Sequence, residues 1–194
     1  MELEGLEHSE TMSEQQLREI MSRYGEDIWN YIYYLTKNAE QADDLAQEVF
    51  IKSYYRIGTY RGTSSFKAWL LTIARNTVFS HRKSRFFRSG LWGNVQSLTT
   101  VDSEEQEAAS AHLGAAQSAE MEYMGNQNID EIWDLIMALS PKLREILVLD
   151  LKYELSIKEI AELMSLSQGT VKSRLHRARH KIQSKLKGWN DGGA

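Results

Sequence analysis

The chain has no cysteine and a single proline in 194 residues. Without cysteine it has no disulfide, no zinc–thiolate site and no thiol nucleophile. With one proline, and few glycines inside its periodic stretches, little interrupts helix formation. No run approaches the roughly 18 apolar residues of a membrane span. The opening residues, MELEGLEHSETMSE, are acidic and lack the basic start and apolar stretch of a signal peptide. A cytoplasmic protein without membrane insertion is expected. Metal-ligand patterns are equally sparse. Of the histidines at 8, 81, 112, 176 and 180, only His176 and His180 have i, i+4 spacing, and the arginines around them would repel a cation. Asp43, Asp44 and Glu48 have no further clustered ligands beside them, and there is no glycine-rich phosphate loop of recognised pattern. No metal, cofactor, small-molecule substrate or catalytic activity is expected.

What is present is a hydrophobic share of 42%, enough for a core, and charge sorted into blocks. The net charge of −4 argues against a nucleic-acid partner until its distribution is read. Residues 1–48 carry twelve acidic against three basic residues, and 49–101 carry nine basic and no acidic ones. Residues 102–141 carry nine acidic residues and no Lys or Arg, and no acid lies between Glu162 and Asp191. Acidic segments thus separate two basic surfaces suited to DNA.

Apolar periodicity predicts an all-α chain of two small helical domains joined by a flexible linker. Residues 1–13 are expected to be a disordered acidic N-terminus. In 14–88, helical spacing runs through Leu17, Ile20, Met21, Ile28, Tyr31, Ile32 and Leu35, then through Leu45, Val49 and Ile57. A last stripe holds Phe66, Trp69, Leu70, Ile73, Ala74 and Val78, with Ser64 or Ser65 as its cap. Residues 89–127 are rich in Ser, Gly, Ala and acids, as in a solvated linker. Such a linker spans roughly 30–40 Å on average and up to about 130 Å when stretched. Residues 128–188 form a four-helix domain, with Ile132, Trp133, Ile136 and Leu139 on its first helix and Leu143, Ile146, Leu147 and Leu151 on its second. The second helix opens at Ser140-Pro141, with proline where a missing N–H costs nothing. Residues 189–194 are a tail.

The segment from Tyr153 to Leu186 carries the most chemistry. Ser156 and Glu159 make the S-x-x-E pattern that caps a helix start, and Ile157, Ile160, Ala161 and Met164 follow at helical spacing. Ser165-Leu166-Ser167 breaks the pattern. A second helix then buries Val171, Leu175, Ala178, Ile182 and Leu186, while Lys172, Arg174, Arg177, Arg179, Lys181 and Lys185 occupy its other faces. A short helix, a turn and a basic helix form the helix-turn-helix way of entering a major groove.

Three segments together resemble the sigma-70 family of RNA polymerase initiation factors, in its two-domain extracytoplasmic-function (ECF) group. They are DDLAQEVFIKSYY (43–55), SSFKAWLLTIARNTVFSHRKSR (64–85) and SPKLREILVLDLKYELSIKEIAELMSLSQGTVKSRLHRAR (140–179). The resemblance implies a factor that binds core RNA polymerase and directs it to promoters, in a stress or envelope response, with an anti-sigma factor as a further partner. It implies that Asp43, Asp44, Gln47, Glu48, Ile51, Lys52 and Tyr55 face the polymerase core. It assigns Lys67, Trp69, Arg75, Asn76, Arg82, Lys83 and Arg85 to the minus-10 element. Trp69 also lies on the apolar stripe, so it reads equally as a core residue. Larger sigma factors carry two adjacent tryptophans there, whereas here Trp69 precedes Leu70. Within the helix-turn-helix (156–179), the resemblance places Gln168, Thr170, Lys172, Ser173, Arg174, His176 and Arg177 near the minus-35 element. His176 reads as a base contact, a phosphate donor or a surface residue. Where the family's turn often has glycine, this chain has Ser165, and a left-handed backbone there costs roughly 1–2 kcal/mol. The competing reading is a helix-turn-helix repressor or activator that forms no holoenzyme; it leaves the basic segment 49–101 and the 43–55 surface unexplained.

Overall fold

The protein's structure, a computed structural model, describes residues 9–88 and 127–191, with side chains over 9–84 and 132–186. Every regular element among them is helical, as expected. α1 (Glu14–Thr36) starts with a reciprocal cap. The Ser13 hydroxyl accepts the Gln16 N–H at 3.2 Å, and the Gln16 side chain accepts the Ser13 N–H at 2.8 Å. Gly25 does not break it, and the helix ends where Lys37 turns left-handed at φ 55°. α2 (Ala39–Arg56) is capped by Asn38, whose side chain accepts the Gln41 N–H at 2.8 Å. A 3-10 turn (Ile57–Thr59) leads to α3 (Phe66–Arg88), capped by Ser65 through the Ala68 N–H at 3.2 Å. These helices bury Ile20, Ile28, Ile32, Leu45, Val49, Leu70 and Val78 against one another.

The second module comprises α4 (Gln127–Met137), α5 (Pro141–Leu151), α6 (Ile157–Met164) and α7 (Gln168–Asp191). Pro141 opens α5 as expected. Its cap is the Ser140 carbonyl, which accepts the Leu143 and Arg144 amides at 3.0 and 2.9 Å. At the start of α6 the S-x-x-E pattern closes as a full capping box. Ser167 caps α7 by accepting the Thr170 N–H at 3.1 Å.

Several boundaries move. Order begins before residue 13, because Met12 is buried and the backbone at Glu10 passes against Gly58. α7 runs through Gly188 to Asp191, into the expected tail. Met21, Ile132 and Leu151, expected in the core, are exposed; Leu151 is the last residue of α5. The expected linker, apart from Gln127, lies outside the described residues, as do residues 1–8 and 192–194.

The two modules also pack against each other, which the periodicity does not predict. α5 is buried on nearly every side, including the polar Arg144 and Glu145. Tyr31 meets Tyr153 edge-on at 5.7 Å, and Tyr34 stacks parallel to Trp133 at 6.2 Å. Tyr153 donates its hydroxyl to the Asp27 carbonyl at 2.9 Å. Glu159, besides capping α6, accepts the Ser65 N–H at the start of α3 at 2.9 Å. Burial alone would raise the Glu159 carboxyl, but hydrogen bonds from Ser65 and Ser156 outweigh it and lower the pKa to about 2.

A folded pKa below the ordinary 4.5 means the carboxylate's contribution is complete above that value and is lost as pH falls toward 2. The stability gap between the wild type and Glu159→Gln should therefore narrow from pH 5 to pH 3, read from urea unfolding midpoints.

Candidate nucleic-acid interface

α2 has two sides of opposite character. Leu45, Val49 and Phe50 face the core, while Asp44, Gln47, Glu48, Ile51 and Tyr55 form one exposed stripe at helical spacing. Ile51 is 57% and Tyr55 79% exposed, unusual for large apolar side chains beside carboxylates. The other two predicted members of this surface are tied down locally. Asp43 accepts the Trp29 indole N–H at 2.6 Å. Lys52 pairs with Glu48 at 2.6 Å and donates to the Thr77 hydroxyl at 3.2 Å.

On α3 the predicted residues divide between two faces. Lys67, Arg75 and Arg82 each have a partner within the chain. Lys67 pairs with Asp27 at 3.2 Å, Arg75 with Glu145 at 2.7 Å, and Arg82 donates to the Leu35 carbonyl. Trp69, Asn76 and Lys83, spaced seven apart, share another face. Asn76 and Lys83 are exposed there. Trp69 is half-buried, its ring 5.2 Å from Phe66 and 5.6 Å from Tyr60, and its N–H reaches the Thr59 hydroxyl at 3.3 Å. The core reading of Trp69 thus holds for part of the ring. Between the faces lies Phe79, 41% exposed, with the Arg75 guanidinium 4.6 Å above its ring. The Arg85 side chain is outside those described.

α7 buries Val171, Leu175, Ala178 and Ile182 and turns its charge outward. Gln168, Lys172, Ser173, His176 and Arg177 are exposed; Thr170 and Arg174 are half-buried. The Thr170 hydroxyl is within 2.9 Å of the Ser167 hydroxyl, so it is partly committed to the cap. Arg179 pairs with Asp150 at 2.6 Å. An open hollow of about 430 Å³ runs past Ile157, Lys172, His176, Arg179 and His180. Among the described residues no cluster of three or more His, Cys, Asp or Glu could hold a metal, and no helix is long and apolar enough to cross a membrane.

Comparison with known proteins decides what this pair of modules is. The model of Sigma-70 region 2 matches residues 20–86, and that of Sigma-70, region 4 matches residues 129–182. The chain is 34% identical to the RNA polymerase sigma-H factor of Pseudomonas aeruginosa, covering 86% of this chain and 84% of that one. It is 31% identical to the ECF RNA polymerase sigma-E factor of Haemophilus influenzae, over 86% and 85% of the two chains. The chain belongs to the sigma-70 family, in its ECF group. Its fold is similar to that of the sigma factor RpoE, solved with the anti-sigma factor NepR from Bartonella quintana. That match has a TM-score of 0.64 and 24% identity, and covers 89% of this chain and 98% of that one.

This sigma factor therefore binds core RNA polymerase and directs it to promoters; sigma factors are regulatory subunits rather than catalysts. Sequence reasoning missed Glu145, Tyr31 and Phe79. Glu145 left one signal, an Arg-Glu pair inside the otherwise apolar run LREILVL, but its partners lie about 70 and 114 residues away. Neither is visible from the local pattern.

Ser165 is left-handed at φ 55°, as the turn demands. The Leu166 N–H reaches the Ala161 carbonyl at 2.9 Å, and the Ser165 N–H reaches Glu162 at 3.2 Å. This is the Schellman arrangement that glycine fills most easily. Ser165→Gly should stabilise the chain by about 1 kcal/mol, less backbone strain outweighing the added freedom of the unfolded state; chemical denaturation checks it.

Proposed function

We propose that the two modules of this sigma factor divide promoter recognition between them. Residues 14–88 dock on core polymerase through α2 and engage the minus-10 element through α3; residues 128–188 read the minus-35 element through α7. The observation that carries this reading is the α2 stripe. Exposed Ile51 and Tyr55 flanked by Asp44, Gln47 and Glu48 suit a protein partner and repel DNA. A repressor that only binds DNA has no use for it.

On α3, Trp69 offers the free part of its ring for stacking, Asn76 a base-edge contact and Lys83 a phosphate contact. Arg85 adds phosphate neutralisation, and so do Lys67, Arg75 and Arg82 when they exchange their intramolecular partners for phosphate. On α7, Lys172, Ser173, His176 and Arg177 face the major groove. Gln168 and Thr170 stand near its N-terminus, where backbone amides also favour phosphate, and Arg174 lies nearer the backbone. No catalytic role of its own is assigned to the chain. It works in the cytoplasm, where its polymerase and promoters are, and serves a stress or envelope response under an anti-sigma factor. The charge pattern and the family membership support each of these assignments.

In vitro transcription with purified core enzyme over genomic fragments tests the reading: start sites should require this protein, and their mapping yields both promoter elements. Starts that do not depend on it would refute the proposal. Arg177→Ala should weaken minus-35 binding by about 1–3 kcal/mol and change sequence preference; an equal loss on every sequence would assign Arg177 to phosphate. The double change Asp44→Asn and Glu48→Gln should reduce holoenzyme assembly, read by co-purification, while circular dichroism stays that of the folded chain.

A further inference from the structure

A second aromatic surface borders the α2 stripe. On α1, one turn apart, Trp29 and Tyr33 stack in parallel, with ring centres 5.3 Å apart and planes 8° from one another. Both are half-buried, so each keeps part of its ring in solvent. The indole N–H of Trp29 donates to the Asp43 carboxylate on α2 at 2.6 Å. That bond satisfies the only polar atom of the indole and fixes the ring's orientation, leaving the exposed part of the ring wholly apolar.

Asp43 is also where the two surfaces join. Asp43, Gln47 and Tyr54 follow at i, i+4 and i+11, one line along the side of α2 that meets α1. Ile51 and Tyr55 stand beside that line, and Tyr54 meets Tyr55 edge-on at 5.3 Å. Trp29 and Tyr33 therefore continue the stripe across a helix boundary. Charge on this combined surface has one sign. Residues 38–48 hold four acids, Glu40, Asp43, Asp44 and Glu48, and no Lys or Arg. Glu40, Asp43 and Asp44 are exposed, and Lys52, at the far edge of the stripe, is engaged by Glu48 and Thr77.

Stacked aromatic rings beside carboxylates form a receptor for a guanidinium. The ring faces attract the delocalised cation, and the carboxylates accept its N–H groups. An ammonium, a compact and strongly hydrated point charge, gains less from a ring. The same acids repel DNA. We infer that the core-polymerase interface of this sigma factor extends from α2 onto α1, where Trp29 and Tyr33, with the Asp43 and Asp44 carboxylates, receive an arginine of the core enzyme. The inference rests on the assignment of the α2 stripe to the polymerase. Asp43 has two roles in it: one oxygen positions Trp29, and its charge draws the arginine. An aromatic anchor inside a docking surface carries more of the affinity than the polar residues around it, so loss of Trp29 costs the most.

Photo-crosslinking and competition binding, with the full chain and purified core enzyme, test this. A p-benzoylphenylalanine placed at Tyr33 should crosslink to core enzyme, as should the same label at Tyr55, and the core peptide captured from Tyr33 should contain arginine. Trp29→Ala should compete for core enzyme about tenfold less well than wild type. Asp43→Asn keeps an oxygen for the indole N–H but removes the charge. It should fold as wild type does and lose several-fold in affinity at low salt, with the gap closing as salt is raised, which guards against misfolding of the Trp29 variant. Crosslinking from Tyr55 but not from Tyr33, or wild-type affinity in either variant, would overturn the extension onto α1. A captured peptide without arginine would overturn the guanidinium. Failure to crosslink at both positions would instead strike the docking role of α2 beneath it.

Discussion

A single buried carboxylate, that of Glu145, sets the relation between the two halves of this sigma factor. Burying a charged carboxylate is costly, and an arginine and a phenol together supply the hydrogen bonds that offset much of it. Burial and the Glu145 charge both push the Tyr31 hydroxyl well above its ordinary range, so it remains a proton donor at any working pH. Remove one partner and the others are left desolvated, which is why such a triad behaves as a unit rather than as three additive contacts. Because its members come from α1, α3 and α5, it fixes how the modules meet, not how either one folds.

Within each module, local pattern sets the helices. Caps at Ser13, Asn38, Ser65, Ser156 and Ser167 define where helices begin, and the apolar stripes define which faces close on one another. The faces left over are chemically distinct. α2 presents acids, an amide and two large apolar side chains; α7 presents lysines, two histidines and arginines, with no acid before Asp191. A protein partner and a polyanion are thus served by different helices, and acidic stretches of sequence separate the two basic ones. The overall negative charge is compatible with DNA binding only because of that segregation.

The difference between α3 and α7 shows where local reading stops. On α7, outward charge in the sequence is outward charge in the fold, since that helix packs on its module by one stripe. On α3, Lys67, Arg75 and Arg82 are basic residues of the same appearance, yet each is paired with α1 or with the second module. Trp69 likewise joins the Phe66–Tyr60 cluster while keeping part of its ring accessible. Trp69, Asn76 and Lys83, spaced by seven, lie on another face of α3, a distinction available in the sequence only once the face of Lys67, Arg75 and Arg82 is known.

The sequence by itself determined the helical class, the ends of most helices, the helix-turn-helix and its strained serine turn, because capping, period and turn chemistry act over a few residues. It also carried the family, through three motifs in a fixed order. The meeting of the modules, the burial of Arg144 and Glu145 and the occupied state of Arg75 were decided only by tertiary structure. Those contacts join residues about 70 to 126 positions apart, and their sign and geometry depend on which helix faces come together.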